Sequence, residues 1–226
     1  MHQLVAVDFS MSSTAVSVRK DNTITIFSFV PNYDPKLSKF RLHGSLAPHV
    51  QVIGYERAEK VDGYSENEAI KLGNAQNLAK AIVMAIRSTG VLKPRVAFEG
   101  FSFGSRGSSF IDLIVFNTFA KKQIMDHFFC PIEVISPATI KRHFSGKGNA
   151  TKSEMFQAFL ERPSAFRDHV SSLVGPLAPE KDPPKPIDDV VDSLAILGWM
   201  SGEEPKAQEK APKAKKAPKK SAGQKP

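Results

Sequence analysis

The spacing of apolar and polar positions changes several times along the chain, and each change marks an element. Leu4 to Val7 is a compact apolar run ended by Asp8. β-Branched and apolar residues resume over Ala15 to Val18 and Thr23 to Val30, around a turn at Lys20-Asp21-Asn22. This pattern predicts two or three antiparallel strands opening the fold. From Pro31 to about Val61 the period is lost, with prolines at 31, 35 and 48. That stretch reads as a long loop with a strand at His49 to Ile53. Between Asn67 and Arg87 apolar residues at 69, 70, 72, 75, 78, 79, 82, 83 and 86 recur at helical spacing, and Gly90 closes the segment. Arg95 to Glu99 then reads as a buried strand running into the flexible stretch GFSFGSRGSS.

Ser109 is placed to cap a helix from Phe110 to about Phe129, with Ile111, Ile114, Val115, Thr118, Phe119 and Ile124 on its inner face. A short strand follows at Ile132 to Ile135. Pro137 suits the first position of a brief helix through Lys141. His143 to Thr151 reads as a glycine-rich basic loop, and Lys152 to about Leu160 as a helix with Met155, Phe156 and Phe159 inward. Pro163 to Pro186 is a proline-rich connection, and Asp189 to Met200 the last helix. Strands first, then strands alternating with helices, predict an α/β domain with a mixed sheet and helices on both faces.

Composition sets bounds on this picture. The 226 residues are 41% hydrophobic and 24% charged, ordinary for one soluble domain with an extension. Cys130 is the only cysteine, which excludes a disulfide framework and a cysteine zinc site and fits a reducing compartment. Nothing at the start reads as a signal peptide, and no apolar run is long enough to span a bilayer, so an intracellular protein without membrane association is expected. The formal net charge of +8 is unevenly placed. Glu203 to Pro226 carries eight lysines and three glutamates, net +5, which leaves +3 for the body. We therefore divide the chain into a body, 1–202, and a Lys/Ala/Pro-rich tail, 203–226, that cannot bury a core and is expected to be disordered.

The candidate chemistry lies in the carboxylates. Asp8 and Glu99 each end an apolar strand, and strand ends in an open α/β sheet converge on a crevice. In DDVVDSLAIL, Asp189 and Asp192 are three apart and share a helix face. Acids in a first helical turn also serve as caps and offset the helix dipole, and an acid after a strand is commonly a turn former. Four carboxylates brought together would repel one another unless a hard cation joined them. Mg²⁺ or Mn²⁺ suits such oxygen ligands, and two ions about 4 Å apart would suit phosphodiester hydrolysis.

The order of these motifs resembles RuvC-type Holliday junction resolvases of the ribonuclease H-like fold, over Leu4 to about Met200. Asp8, followed by Thr14, is similar to the family's first acid, and Glu99 in Ala97-Phe98-Glu99 to its second. Lys141, Gly146-Lys147-Gly148 and Ala150-Thr151-Lys152 resemble its basic loop before a helix, and Pro186 to Ala195 its terminal motif. The resemblance implies a ribonuclease H-like mixed sheet, catalysis by Asp8, Glu99, Asp189, Asp192 and Lys147, and two Mg²⁺ or Mn²⁺ ions on the four acids. It implies DNA contacts by Lys141, Lys147, Lys152, Phe101, Phe103 and Arg106, a homodimer acting on branched DNA, and no nucleotide cofactor. Asp188 is an extra acid that competes with Asp189 for the ligand position. Ser10 stands where the family usually has glycine, and the segment from Pro31 to Val61 is longer than its norm. Two other classes remain as alternatives. One is a catalytically silent nuclease fold that binds nucleic acid as a scaffold. The other is an actin-like ATPase, which would need a glycine-rich phosphate loop after Asp8 that Phe9-Ser10-Met11 does not supply.

Overall fold

The computed structural model describes residues 3–101, 107–174 and 181–206. The elements run β1 (Leu4–Asp8), β2 (Thr14–Lys20), β3 (Thr23–Pro31), α1 (Arg41–Ser45), β4 (Val50–Tyr55), α2 (Tyr64–Ser88), β5 (Arg95–Glu99), α3 (Ser108–Phe128), β6 (Ile132–Ile135), α4 (Pro137–Ser145), α5 (Lys152–Leu160), α6 (Ala165–Val174) and α7 (Ile187–Met200). The strands form one sheet in the order β4-β3-β2-β1-β5-β6. β2 is antiparallel to β1 and β3, whereas β5 is parallel to β1 and β6, and β4 is parallel to β3. This is the expected mixed sheet with helices on both faces, with β4 and its flanks built from the long segment after β3.

The alternation of side chains along the strands decides where the chemistry falls. Val5 and Val7 point to the face covered by α2 and α3, together with Val96 and Phe98 of β5. Leu4 and Ala6, with Ala97, point to the opposite face, which carries α4, α5, α6 and α7. With a period of two, Asp8 follows Ala6 and Glu99 follows Ala97 onto the α7 face. The parallel register pairs Val7 with Phe98, so the next step sets Asp8 beside Glu99. α7 lies across this face. It is apolar nearly all round and almost wholly buried, and its Ser193 is joined to Ser17 of β2 by a buried hydrogen bond of 2.8 Å.

Several expectations are corrected. The inner face of α3 is Phe116, Asn117, Ala120, Ile124 and Phe128, whereas Ile111, Ile114 and Thr118 are exposed. Ser109 is not its cap; Gly107 occupies that position without a side-chain bond. α4 continues through His143 to Ser145, because Ile140 and Phe144 anchor one face, and a left-handed Gly146 ends it. The connection after Pro163 contains α6, held by Phe166 and Val170. The first residues assigned to the tail are docked on the body. Glu203 bridges Arg19 at 3.1 Å and Arg162 at 3.0 Å, its carbonyl lies 2.8 Å from His143 Nε2, and the Lys206 amide donates to the His143 carbonyl at 3.0 Å. Residues 207–226 lie outside the described part. No helix among the described residues is long and apolar enough to cross a membrane.

Candidate active site

Asp8, Glu99 and Asp192 line one cleft of about 280 Å³ together with Phe9, Phe101, Asn117, Lys141 and Lys152. Each reaches it for a local reason. Asp8 and Glu99 are the last residues of β1 and β5. Asp188 and Asp189 stand in the first turn of α7, where the positive end of the helix dipole favours them, and Asp192 follows one turn on. Lys141 comes from α4 and Lys152 from the first position of α5. α5 is held by a capping box in which the Thr151 side chain accepts from the Glu154 amide and Glu154 accepts from the Thr151 amide.

The electrostatics are those of a crowded acidic site. Burial holds Asp8 well above the ordinary carboxylate range, and Asp192, Asp189, Glu99 and Asp188 push it further. Asp192 is raised to about 7, first by burial and then by Glu99, Asp188 and Asp189, against the pull of Lys152. Burial raises Glu99, opposed by Lys141. Burial and Asp188 raise Asp189, opposed by the nearby Ser13 hydroxyl and Lys185. For Lys152 burial works against the charge, but its hydrogen-bonded ion pair with Asp188 and the further acids raise it overall. Lys185 Nζ lies 3.3 Å from Asp189 Oδ1. Even so, Asp188 Oδ1 and Asp189 Oδ2 are buried without a hydrogen-bond partner. Such orphaned anionic oxygens are costly unless something cationic meets them.

An all-oxygen donor set with orphaned carboxylate oxygens and mutually repelling acids fits a hard divalent cation in chemistry. Among the described residues, no three His, Cys, Asp or Glu side chains close on a common point as a finished metal cage would. Asp188 and Asp189 are both kept near the acids, so the competition between them persists. Asp189 acts on Asp8 more strongly, and Asp188 acts more strongly on Asp192.

Lys147 does not line the cleft. It is exposed, and its Nζ is 2.9 Å from Glu154 Oε1. The lysines that do line it are Lys141, whose Nζ donates to the Ala150 carbonyl at 2.9 Å, and Lys152. Phe101 is 37% exposed at the cleft, edge-on to Phe110 at 5.4 Å, with the Lys121 ammonium 5.6 Å from its ring centre. Phe103 and Arg106 lie outside the described residues. Sequence reasoning missed Asn117. It is 2% exposed, lines the cleft, and makes no hydrogen bond to another described residue. The only signal was a lone amide within the apolar run Leu113 to Phe119.

No protein-family model matches the chain, and no curated protein matches it. Solved structures similar to it include the Thermus thermophilus RuvC structure, at 12% identity over 90% of this chain and 99% of that one, with a TM-score of 0.45. Another is T. thermophilus RuvC in complex with Holliday junction substrate, at 13% identity over 91% of this chain and 99% of that one, also with a TM-score of 0.45.

Proposed function

We propose that the chain is a metal-dependent, structure-selective DNA endonuclease that resolves four-way junctions or other branched DNA by paired nicks. One observation carries this reading. Asp8, Glu99 and Asp192 line one cleft at the carboxyl ends of β1 and β5, with Asp8 and Asp192 both held above the ordinary carboxylate pKa. Asp8, Glu99, Asp189 and Asp192, with Asp188 in reserve, would hold two Mg²⁺ or Mn²⁺ ions. Such cations, when bound, polarise the phosphodiester and stabilise the charge that develops on it.

The chain's own groups do the positioning. Lys141 and Lys152 offer ammonium groups to the phosphate's other oxygens. Lys147, one residue beyond the end cap of α4, contacts the DNA backbone outside the cleft rather than the reacting atoms. Phe101 stacks on a base at the branch, and Phe103 and Arg106, close to it in sequence, add to that contact. The Asn117 amide, at the wall of the cleft, donates to a phosphate oxygen. Asn117→Ala is expected to lower kcat roughly 100-fold and leave KM and the melting temperature close to wild type. Wild-type turnover in that variant would make Asn117 a packing residue.

Paired nicks need two sites facing one branch point, hence a homodimer. The exposed apolar residues Ile111, Ile114 and Met125 of α3 suit its interface. The lysine-rich tail adds sequence-independent, salt-sensitive affinity for DNA, from a root fixed by Glu203. A silent nucleic-acid-binding scaffold is favoured by one observation, that Lys152 and Lys185 already pair with Asp188 and Asp189. Metal-dependent cleavage of a branched substrate separates the two readings.

A further inference from the structure

A second cavity opens on the other side of α3. Its volume is about 670 Å³, within the size of sites that enclose ligands. The two cavities share their walls. Asp112 and Phe116 of α3 face the second, while Leu113 and Asn117 of the same helix face the acidic cleft. In the β1–β2 turn, Phe9 lines the cleft and Met11 lines the groove. A strand that leaves the acids over this ridge enters the groove directly.

The groove is a built feature of the long segment after β3. Asn74 bonds the backbone of Ala58 through both amide atoms, at 2.8 and 2.9 Å, and Asn32 bonds that of Arg57 at 2.9 and 2.8 Å. Arg57 Nη1 and the Tyr55 hydroxyl both donate to the Met11 carbonyl, at 3.0 and 3.1 Å. The groove wall is therefore tied to the turn that follows Asp8.

Its chemistry suits a phosphodiester strand. Lys39, Arg57 and Lys60 line it. A fourth cation, Lys71, is committed to Glu68 and to Asp112 at 3.0 Å, and Glu59 is the remaining acid. Among the described residues, α3 begins beside the groove with neither a side-chain cap nor an acid in its first turn, an arrangement that suits an anion at its amide donors. Tyr64, at the head of α2, is 84% exposed on the rim. Cations interleaved with an open aromatic ring are what an unpaired strand uses, since phosphates and bases alternate along it.

We propose that this groove holds an unpaired stretch of the same DNA strand whose reacting phosphate lies in the acidic cleft, with a base on Tyr64 and phosphates at Lys39, Arg57 and Lys60. The choice of ligand rests on the branched-DNA reading. The test uses the full chain in chelator, titrated with a fluorescein-labelled flap DNA carrying an unpaired strand and with a fully paired duplex of equal length. Tyr64→Ala and Lys60→Glu should each weaken flap binding about fivefold or more, with duplex binding and melting temperature unchanged, because both side chains are exposed. Equal flap affinity in wild type and both variants overturns the inference, as does an equal loss on flap and duplex. Mg²⁺-dependent cutting of a four-way junction is read separately. A wild type that never cuts the junction removes the nuclease reading, while the binding comparison is decided by its own result.

Discussion

Asp8→Asn is expected to abolish cleavage and, at the same time, to make the metal-free protein more stable. Asp8 is buried at the end of β1 and surrounded by four other carboxylates that raise its pKa. Asparagine keeps the shape and removes the charge, so the repulsion is relieved while one cation ligand is lost. The rate should fall on the order of 10³-fold or more, the several kcal/mol that a well-placed cation contributes to a phosphoryl transition state. Junction affinity in chelator should change little, because it comes from lysines and the tail. Melting temperature without metal should rise, at about 2–4 °C per kcal/mol for a domain of this size. Thermal melting and single-turnover cleavage of the same preparation check both halves. A variant that is inactive and also melts lower would mark Asp8 as a structural acid.

The second large effect is a dependence of stability on pH that metal removes. Asp192 rises from an ordinary 3.8 to about 7 on folding, and Asp8, Glu99 and Asp189 move the same way. A carboxyl group with a raised folded pKa stabilises the fold fully below its unfolded pKa, and that contribution disappears as pH rises through the folded value. The contribution of Asp192 should therefore be fully present only below about pH 4 and be lost as pH rises through about 7, so the metal-free protein should be less stable at pH 8 than at pH 5. Each tenfold in acidity is worth about 1.4 kcal/mol, so Asp192 alone accounts for something on the order of 3 kcal/mol after solvent screening. Millimolar Mg²⁺ or Mn²⁺ should restore most of this at pH 8 and less at pH 5, where Asp192 is protonated. Denaturant titrations at the two pH values, with metal and with chelator, measure it. A metal-free protein that is steadier at pH 8 than at pH 5 would contradict the crowding of these acids.

What was legible in the sequence follows from how strongly each signal was written. The run Leu4 to Asp8 alternates between two buried faces, so its end could be placed on the α7 side once the strand was assigned. Asp188 to Asp192 head a helix with no polar face, which made them conspicuous. α3 was mistaken in rotation because Phe110 to Phe116 is apolar on nearly every side except Asp112, and hydrophobicity alone cannot choose an inner face there. α6 was missed because only Phe166 and Val170 anchor its ten residues amid prolines on either side. Lys147 was favoured for its flanking glycines, yet Gly146 ends α4 and the ammonium turns to Glu154, a partner seven residues on that spacing could not reveal. Glu203 was counted with the tail by composition, although Arg19 and Arg162, distant in sequence, fix it to the body.

The most direct measurement is cleavage of a synthetic four-way DNA junction beside linear duplex and flap controls, with Mg²⁺, with Mn²⁺ and with chelator. Paired nicks near the branch that need metal and vanish in chelator are expected. Tight junction binding with no cut in either metal would contradict the nuclease and leave the scaffold, and equal treatment of junction and duplex would remove selectivity for branched DNA altogether.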